Sequence, residues 1–374
     1  MRLGMFMHPI HDFKRGYATL LNEDLDVIRA ADQEGFDEVW LGEHILLPSE
    51  PFASPLMIFA RLLAECPRIT FGSGVLCLPN KHPAIVAAEV AQFDHLAKGR
   101  FMLGIGPGAT PPDFELFEVL DKDRMQMLEE SIDMMIRLWT EDPPYEIRGK
   151  FWKAVVKDNV LSHVGVGKMA VPYQLPHPPI MLPSMSRNSE SSRLAARRGW
   201  YMISANFVPQ EVAAGHWRDY CDERRKHSLP IEPKKWRAGR TILVTETDDE
   251  ARAYLRSPGN SLEWYFRYII ALTGHGGFVH MLKSHPDMPD AEVTPRYCID
   301  TMVIAGSPRT VAEKLAAFRE ETGPFDTLIT SHHDWVPYGM WRRHMHLLAH
   351  EVMPILRSLT GVQYVPPEHA LASC

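Results

Sequence analysis

Polar side chains that can carry chemistry follow several short apolar runs of this sequence. His8 and His11 follow the first run, Glu43 and His44 end the second, and His332 follows the last. The carboxyl ends of parallel strands share one edge of a sheet or one mouth of a barrel, so these groups would meet there. An imidazole with its ordinary pKa of about 6.5 transfers protons near neutral pH. We therefore predict that His44, supported by Glu43, transfers protons, that His11 is a further catalytic group, and that His8 and His332 contact the substrate.

The stretch GRFMLGIGPG (99–108) raises the question of a phosphate-binding turn. The dinucleotide fingerprint requires G-x-G-x-x-G at the start of a helix, directly after a strand. Here every second residue from 104 to 108 is glycine, and Pro107 interrupts the chain that follows. We therefore interpret the stretch as the end of a buried strand. Gly106 lies at the end of this strand, and Gly74 follows an earlier apolar run. Glycines at such positions either relieve steric crowding or let a flat ligand approach the backbone.

The serine-rich stretch SMSRNSESS (184–192) contains Arg187 and precedes a helical pattern. Hydroxyl groups and an arginine at a helix N-terminus suit a phosphate group, because the free backbone N–H groups and the helix dipole favour an anion. The plainer alternative is an ordinary helix start.

A metal site is a competing interpretation, because the chain has 18 histidines. His346 and His350 are four residues apart, which places them on one face of a helix. That helix is expected on the outside of the fold, and no H-E-x-x-H stretch occurs in the sequence. Zinc sites need three or four convergent ligands. We therefore expect no catalytic metal.

Short apolar runs alternate with helical patterns along the chain, which indicates parallel βαβ units. Eight such runs predict an α/β fold, a (β/α)8 TIM barrel, with an open doubly wound sheet as the alternative. We expect one domain over residues 1–374, with insertions after strand four (about 140–179) and strand seven (about 255–296). The eight predicted strands cover residues 2–7, 37–42, 69–75, 101–105, 179–184, 200–205, 240–246 and 325–331.

Composition limits the partners that this chain can have. Its net charge is −7 and it has no basic stripe, which argues against nucleic acid and anionic membranes as ligands. No apolar run approaches the roughly 20 residues of a membrane span. Five separated cysteines without a C-x-x-C pair are typical of reduced thiols. We therefore expect a protein of the cytoplasm.

Several stretches together resemble the bacterial-luciferase-like flavin monooxygenases. They are GEH (42–44), GSGVLCLPNKHP (72–83), QFDHLAKGRFMLGIGPG (92–108) and the late SHHDWVP and EVMPILRS. Within that superfamily, MHPIH (7–11) and the GPG after strand four resemble the limonene and diketocamphane monooxygenase branch. The similarity extends over nearly the whole chain, and the family fold is the (β/α)8 barrel.

The resemblance implies a two-component enzyme. Reduced FMN would arrive as a cosubstrate from a separate NAD(P)H:flavin reductase and react with O2 to give a flavin C4a-hydroperoxide. An apolar small molecule, such as a terpenoid, a cyclic ketone or a long-chain carbonyl compound, would then be oxygenated by Baeyer–Villiger oxidation, hydroxylation or epoxidation. Members of the family commonly form homodimers through the helices beside strands two and three.

The resemblance also assigns residues to the flavin. Ser73 and Gly74 match a bulge, often a non-prolyl cis peptide, that supports the ring, and Gly106 ends the strand facing it. The phosphate-binding positions match residues in and before the serine-rich stretch, although luciferase has an arginine where this chain has Pro107. These phosphate-binding residues are Arg124, Ser184, Ser186 and Arg187.

Three other functions remain open at this level. An enzyme on the same barrel could use a deazaflavin coenzyme and transfer hydride without oxygen. A metal-dependent barrel hydrolase is a different class, and a flavin- or oxygen-sensing barrel without turnover is another. Oxygen consumption, metal content and turnover distinguish these from a monooxygenase.

Overall fold

The computed structural model describes residues 1–334 and 336–367. Trp335, which falls in the stretch SHHDWVP, and Cys374 lie outside the described residues; the four other cysteines are free and buried. The strands are β1 (Arg2–Met7), β2 (Glu38–Leu41), β3 (Thr70–Ser73), β4 (Leu76–Cys77), β5 (Phe101–Gly106), β6 (Tyr145–Arg148), β7 (Lys153–Val156), β8 (Ile180–Ser184), β9 (Tyr201–Ser204), β10 (Trp236–Val244), β11 (Val303–Gly306) and β12 (Thr327–His332).

The α-helices alternate with these strands, and one π-helical turn (Leu348–Val352) connects the last two. They are α1 (Tyr17–Glu34), α2 (Pro55–Leu62), α3 (Pro83–Ala97), α4 (Pro111–Leu116), α5 (Arg124–Thr140), α6 (Glu190–Arg198), α7 (Gln210–Lys226), α8 (Asp248–Arg256), α9 (Ser261–His275), α10 (Pro295–Met302), α11 (Pro308–Thr322), α12 (Tyr338–Leu347) and α13 (Met353–Thr360).

Eight parallel strands close into a barrel in the order β1-β2-β3-β5-β8-β9-β10-β12. The ring closes because β12 pairs with β1, from Arg2 opposite Thr327 to Met7 opposite His332, and β10 pairs with both β9 and β12. The predicted (β/α)8 barrel is therefore confirmed, and the open doubly wound sheet is excluded.

Strand β10 begins four residues earlier than the sequence pattern predicts. Two arginines, Arg237 and Arg240, interrupt its apolar run, yet both are buried. Arg237 forms a two-point ion pair with Glu38 across the barrel, with N–O distances of 2.6 and 2.7 Å. Arg240 donates to the carbonyl oxygen of Val208. A charge can enter a strand when it is paired in this way, and a hydropathy pattern does not record the pairing.

The Glu38–Arg237 pair closes the amino-terminal end of the barrel. The indole N–H of Trp40 also donates to Glu38, and the guanidinium of Arg237 lies 4.8 Å from the ring centre of Tyr201. Burial alone would raise the pKa of Glu38, but the charges of Arg237 and Arg2 and the hydrogen bonds from Arg237 and Trp40 together outweigh it and lower that pKa. Apolar side chains, including Met181, fill the barrel above this layer.

The two segments predicted as insertions lie beside the barrel at its fourth and seventh strands. The first contains the antiparallel hairpin β6–β7, whose turn is held by Glu130 of α5, which accepts from the backbone N–H groups of residues 150–152. The second contains α9 and leads into α10. Strand β11 extends the sheet outside the barrel by pairing with the second half of β10. Within the described residues, no helix is long and apolar enough to cross a membrane.

Candidate active site

A mostly apolar cavity opens at the carboxyl ends of the barrel strands. One part of its wall comes from strands β1, β5, β8, β9, β10 and β12, the segment after β2 and the cis Gly74–Val75 peptide between β3 and β4, and another part comes from α9 with the following loop. The lining residues are Phe6, His8, Glu43, His44, Glu50, Gly74, Val75, Cys77, Gly106, Pro107, Gly108, Ala109, Thr110, Pro183, Met185, Ile203, Ser204, Ala205, Asn206, Phe207, Gly239, Ile269, Leu272, Thr273, Phe278, Met281 and Ile329.

A buried carboxylate lies between two of the predicted histidines. Oε2 of Glu50 is 3.2 Å from Nε2 of His44 and 3.4 Å from Nε2 of His8. The side chain of Glu50 is 1% exposed. Among the described residues, its second oxygen and Nδ1 of His44 are buried without a hydrogen-bond partner. His44 can therefore exchange a proton at Nδ1 while Glu50 holds the other ring nitrogen.

The hydrogen bonds of His8 fix its tautomer. The amide nitrogen of Asn206 can only donate, and it lies 2.8 Å from the hydroxyl of Tyr265. That hydroxyl therefore donates onward to Nδ1 of His8, at 3.0 Å. The remaining proton of neutral His8 then sits on Nε2 and points to Glu50. Burial lowers the pKa of His8, which keeps the ring neutral and this chain of bonds intact.

Glu43 faces a different partner from the one expected. Its carboxylate forms an ion pair with Lys81 and accepts from the backbone N–H of Cys77 at 3.0 Å. These bonds tie the end of β2 to β4 and to the 3-10 turn after it. Adjacent residues of an extended segment point in opposite directions, and here the carboxylate that accompanies His44 is Glu50.

His11 and His332 border a second, polar cavity beside the first one. Nδ1 of His11 is 2.8 Å from Asp334 and its Nε2 is 3.1 Å from Asp24. Burial lowers the pKa of His11, but the two carboxylates outweigh it and raise that pKa to about 9. His11 thus clamps the loop after β1 to α1 and to the end of β12. His332 is buried at the end of β12, and its burial lowers its pKa.

The predicted ring-supporting residues lie between β3 and β5. The hydroxyl of Ser73 donates to the carbonyl oxygen of Gly104 and accepts from its N–H, both at 2.9 Å, so it is fully engaged inside the barrel. Gly74 and Gly106 line the cavity with their backbone, and the cis peptide follows Gly74.

The predicted phosphate-binding residues lie on two sides of this mouth. Arg187 donates to the carbonyl oxygens of Lys283 and Ser284, and its Nε has no partner among the described residues. It is two residues beyond Met185, which lines the cavity. The guanidinium carbon of Arg124 lies 4.0 Å from the ring centre of Phe114, and that ring abuts Gly108 at the mouth.

Both serines predicted to bind phosphate have partners within the protein. The Ser184 hydroxyl lies 2.8 Å from that of Ser192, and both side chains are buried. Ser186 accepts a hydrogen bond from His216 through its carbonyl oxygen. The Ser184 hydroxyl is therefore directed at Ser192 and not at a ligand.

Sequence reasoning missed Glu50, Asn206 and Tyr265. Glu50 lies in the loop after β2, six residues beyond His44, and Tyr265 lies on α9, so neither is part of a strand-end pattern. Asn206 could have been found, because it is the second residue after β9. Glu50 offered only one signal, which is a carboxylate in the otherwise apolar stretch LLPSEPF.

Comparison with known proteins gives consistent similarities. The pattern that defines the luciferase-like monooxygenases matches residues 1–324. The 3,6-diketocamphane 1,6-monooxygenase of Pseudomonas putida is 25% identical over 95% of this chain and 98% of its own length. The limonene 1,2-monooxygenase of Rhodococcus erythropolis is 26% identical over 94% of this chain and 85% of its own length.

A solved structure is similar over the same extent. It is the oxygenating constituent of 3,6-diketocamphane monooxygenase from the CAM plasmid of Pseudomonas putida, a type II Baeyer–Villiger monooxygenase in complex with FMN. It superposes with a TM-score of 0.84 at 25% identity and covers 95% of this chain and 98% of that one.

Proposed function

Because the chain belongs to the luciferase-like monooxygenases, we propose that it oxygenates an apolar small molecule with reduced FMN and O2. The observation that carries this proposal is the apolar cavity at the barrel mouth, with the His44–Glu50–His8 group in its wall. We propose that residues 1–374 work as a single domain, with the segments 140–179 and 255–296 as insertions around this mouth.

The residues of the cavity fit a flavin. At Gly74 and Gly106 the side chains of Phe6 and Val75 pack against the backbone, and these side chains with the largely apolar rest of the wall offer a contact for a ring. Arg187 has an unpartnered Nε beside the mouth and would hold the phosphate together with Arg124. When bound, reduced FMN supplies the activation of O2, and the protein supplies orientation, exclusion of water and proton control.

We assign proton transfer to His44. Its Nδ1 is buried and unpartnered among the described residues, in a side chain that lines the cavity. The Glu50 carboxylate lies 3.2 Å from Nε2 and so stabilises by its charge the imidazolium that forms when His44 takes up a proton. His8, held by Tyr265, brings its Nε2 to 3.4 Å from the same Glu50 oxygen.

The substrate and the partner follow from the cavity and the relatives. Phe207, Ile269, Leu272 and Met281 offer dispersion contacts and few hydrogen bonds, which suits a terpenoid, a cyclic ketone or a long-chain carbonyl compound. The similar diketocamphane enzyme is described as an oxygenating constituent. We therefore propose that a separate NAD(P)H:flavin reductase supplies the reduced FMN.

The test is a single-turnover assay with chemically reduced FMN. The protein is mixed anaerobically with reduced FMN and a panel of bicyclic ketones, cyclic terpenes and long-chain aldehydes, and then exposed to ¹⁸O-labelled O2. We expect one ¹⁸O atom in the product of at least one compound. Two outcomes would contradict the proposal. One is hydride transfer to or from the substrate without O2 when a deazaflavin replaces FMN. The other is binding of flavin without turnover of any compound in the panel.

A further inference from the structure

Three side chains of types that bind metal ions converge on the outer surface. None of them lines the cavity. Glu34 ends α1, His346 lies in α12, and His350 lies in the π-helical turn that follows. Nδ1 of His346 is 3.0 Å and Nε2 of His350 is 3.1 Å from the same oxygen, Oε2 of Glu34. The two imidazole centres are 4.6 Å apart. We propose that this triad binds a divalent transition-metal ion of the zinc class.

The geometry suits a tetrahedral ion with little rearrangement. Zinc binds imidazole nitrogen and carboxylate oxygen at about 2.0–2.2 Å, so two ligand atoms on one tetrahedral ion are separated by about 3.3–3.5 Å. The observed 3.0 and 3.1 Å contacts reach that separation if the side chains open by a few tenths of an ångström. All three ligand atoms already lie within 4.8 Å of one another.

The surroundings allow an ion to enter and keep the carboxylate in place. The side chains of His346 and His350 are 57% and 51% exposed, so an ion and a water as fourth ligand can reach them. Glu34 is only 17% exposed, and Nη2 of Arg342 lies 3.8 Å from its other oxygen, Oε1. Arg342 therefore leaves Oε2 for the ion, although its charge weakens the binding of a cation.

The π-helical turn begins two residues after His346 and contains His350. Such turns are rare and frequently occur at functional sites. An ion held here would connect the end of the first helix to the last helices, beside the seam where β1 pairs with β12. Metal bound only by the folded chain stabilises it, because the unfolded chain does not bring the three ligands together.

Zinc binding and thermal stability test the proposal. Protein treated with a chelator and dialysed is titrated with zinc chloride by calorimetry, and zinc that remains after desalting is counted by mass spectrometry. We expect about one zinc per chain, a higher midpoint of thermal unfolding with zinc, and no such effect of magnesium.

The matched variants are His346→Gln and His350→Gln, because glutamine still donates a hydrogen bond to Glu34 but is a poor zinc ligand. Each should lower zinc affinity by about tenfold or more, with an unchanged unfolding midpoint in chelator. The control is His163→Gln, an exposed histidine elsewhere, which should bind zinc as the parent does. Absence of stoichiometric zinc in the parent, or unchanged affinity in the double variant, would overturn the proposal.

Discussion

At the scale of single residues, Glu50 shares one oxygen between two imidazole rings. A carboxylate that is 1% exposed is expensive to keep charged unless donors surround it. His44 and His8 supply these donors, and the chain Asn206–Tyr265–His8 fixes the direction of one of them. The same arrangement places the Glu50 carboxylate beside the ring that we propose as the proton-transfer group.

His44→Ala should separate proton transfer from flavin binding. We expect the affinity for reduced FMN to stay within about threefold, a difference below roughly 1 kcal/mol. Product formation should fall by about 10²–10⁴, the usual range for losing a general acid or base, and hydrogen peroxide release should rise. Product formation at the parent rate, or loss of flavin binding, would show that His44 is structural.

Glu50→Gln keeps the shape of the side chain and removes its charge. We expect product formation to fall, because the variant no longer places a carboxylate beside the proton-transferring ring of His44. Combining it with His44→Ala should add little, since the two residues act as a unit. The matched control is Glu43→Gln, which breaks the Lys81 ion pair and should lower stability with a smaller loss of product formation than Glu50→Gln.

Arg187→Ala and Arg124→Ala, made separately, test the phosphate position. Each should weaken binding of reduced FMN by roughly 1–3 kcal/mol, the value of a charge-assisted hydrogen bond, measured by titration under anaerobic conditions. Arg197→Ala on α6, the helix that begins three residues after Arg187, is the control, because Arg197 is paired with Glu190 and Glu223. Unchanged affinity in both test variants would move the phosphate elsewhere.

At the scale of elements, the strand pattern predicted the barrel because parallel buried strands are continuous apolar runs. It missed the early start of β10, since Arg237 reads as a surface residue until its partner Glu38 is known. Loop residues were the least predictable. The loop after β2 folds back and brings the carboxylate of Glu50 to His44. The sequence alone favoured Glu43, because it is adjacent to His44.

His11 connects the loop after β1 to α1 and to the end of β12. This contact should make the stability of the fold depend on pH. The pKa of His11 is raised from 6.5 to about 9 by Asp24 and Asp334. A group with a raised pKa stabilises the fold fully below its unfolded pKa, and this contribution disappears as the pH rises through the folded value. We therefore expect the free energy of unfolding to fall by about 1–3 kcal/mol between roughly pH 6.5 and 9.

His11→Gln isolates this contribution in denaturant unfolding at several pH values. The variant should be less stable than the parent at pH 6.5 and should show a flatter dependence up to pH 9. His163→Gln, which changes an exposed ring, should retain the slope of the parent. An equally steep slope in His11→Gln would assign the dependence to another group.

At the scale of the whole molecule, the family resemblance read from short stretches is confirmed by a match over residues 1–324 and by relatives aligned along nearly the whole chain. The resemblance could name the branch because its stretches lie at strand ends, where residue types are restricted. It could not supply the substrate, because much of the cavity wall comes from α9 and the following loop.

The expected homodimer remains a prediction. Met57 on α2 and Ile85 on α3 are 72% and 57% exposed, and large apolar side chains on neighbouring helices are typical of a contact surface. Light scattering at micromolar concentration should give twice the 42.6 kDa mass of the chain. Met57→Glu with Ile85→Glu should shift it towards the monomer, whereas a monomeric parent would reject the prediction.

The two kinds of wall around the cavity differ in how freely mutation can alter them. Barrel strands are held by neighbours on both sides, so a changed residue there disturbs the ladder, whereas α9 is attached to the barrel through side-chain contacts such as those of Tyr265 to His8 and of Trp264 to the carbonyl oxygen of Ile10. Ile269, Leu272 and Met281 can therefore drift in size while the proton-handling strand ends stay intact. Enzymes that evolve from this chain should therefore change their substrate through α9 and the turn that follows it, and keep their proton-handling residues at the ends of the barrel strands.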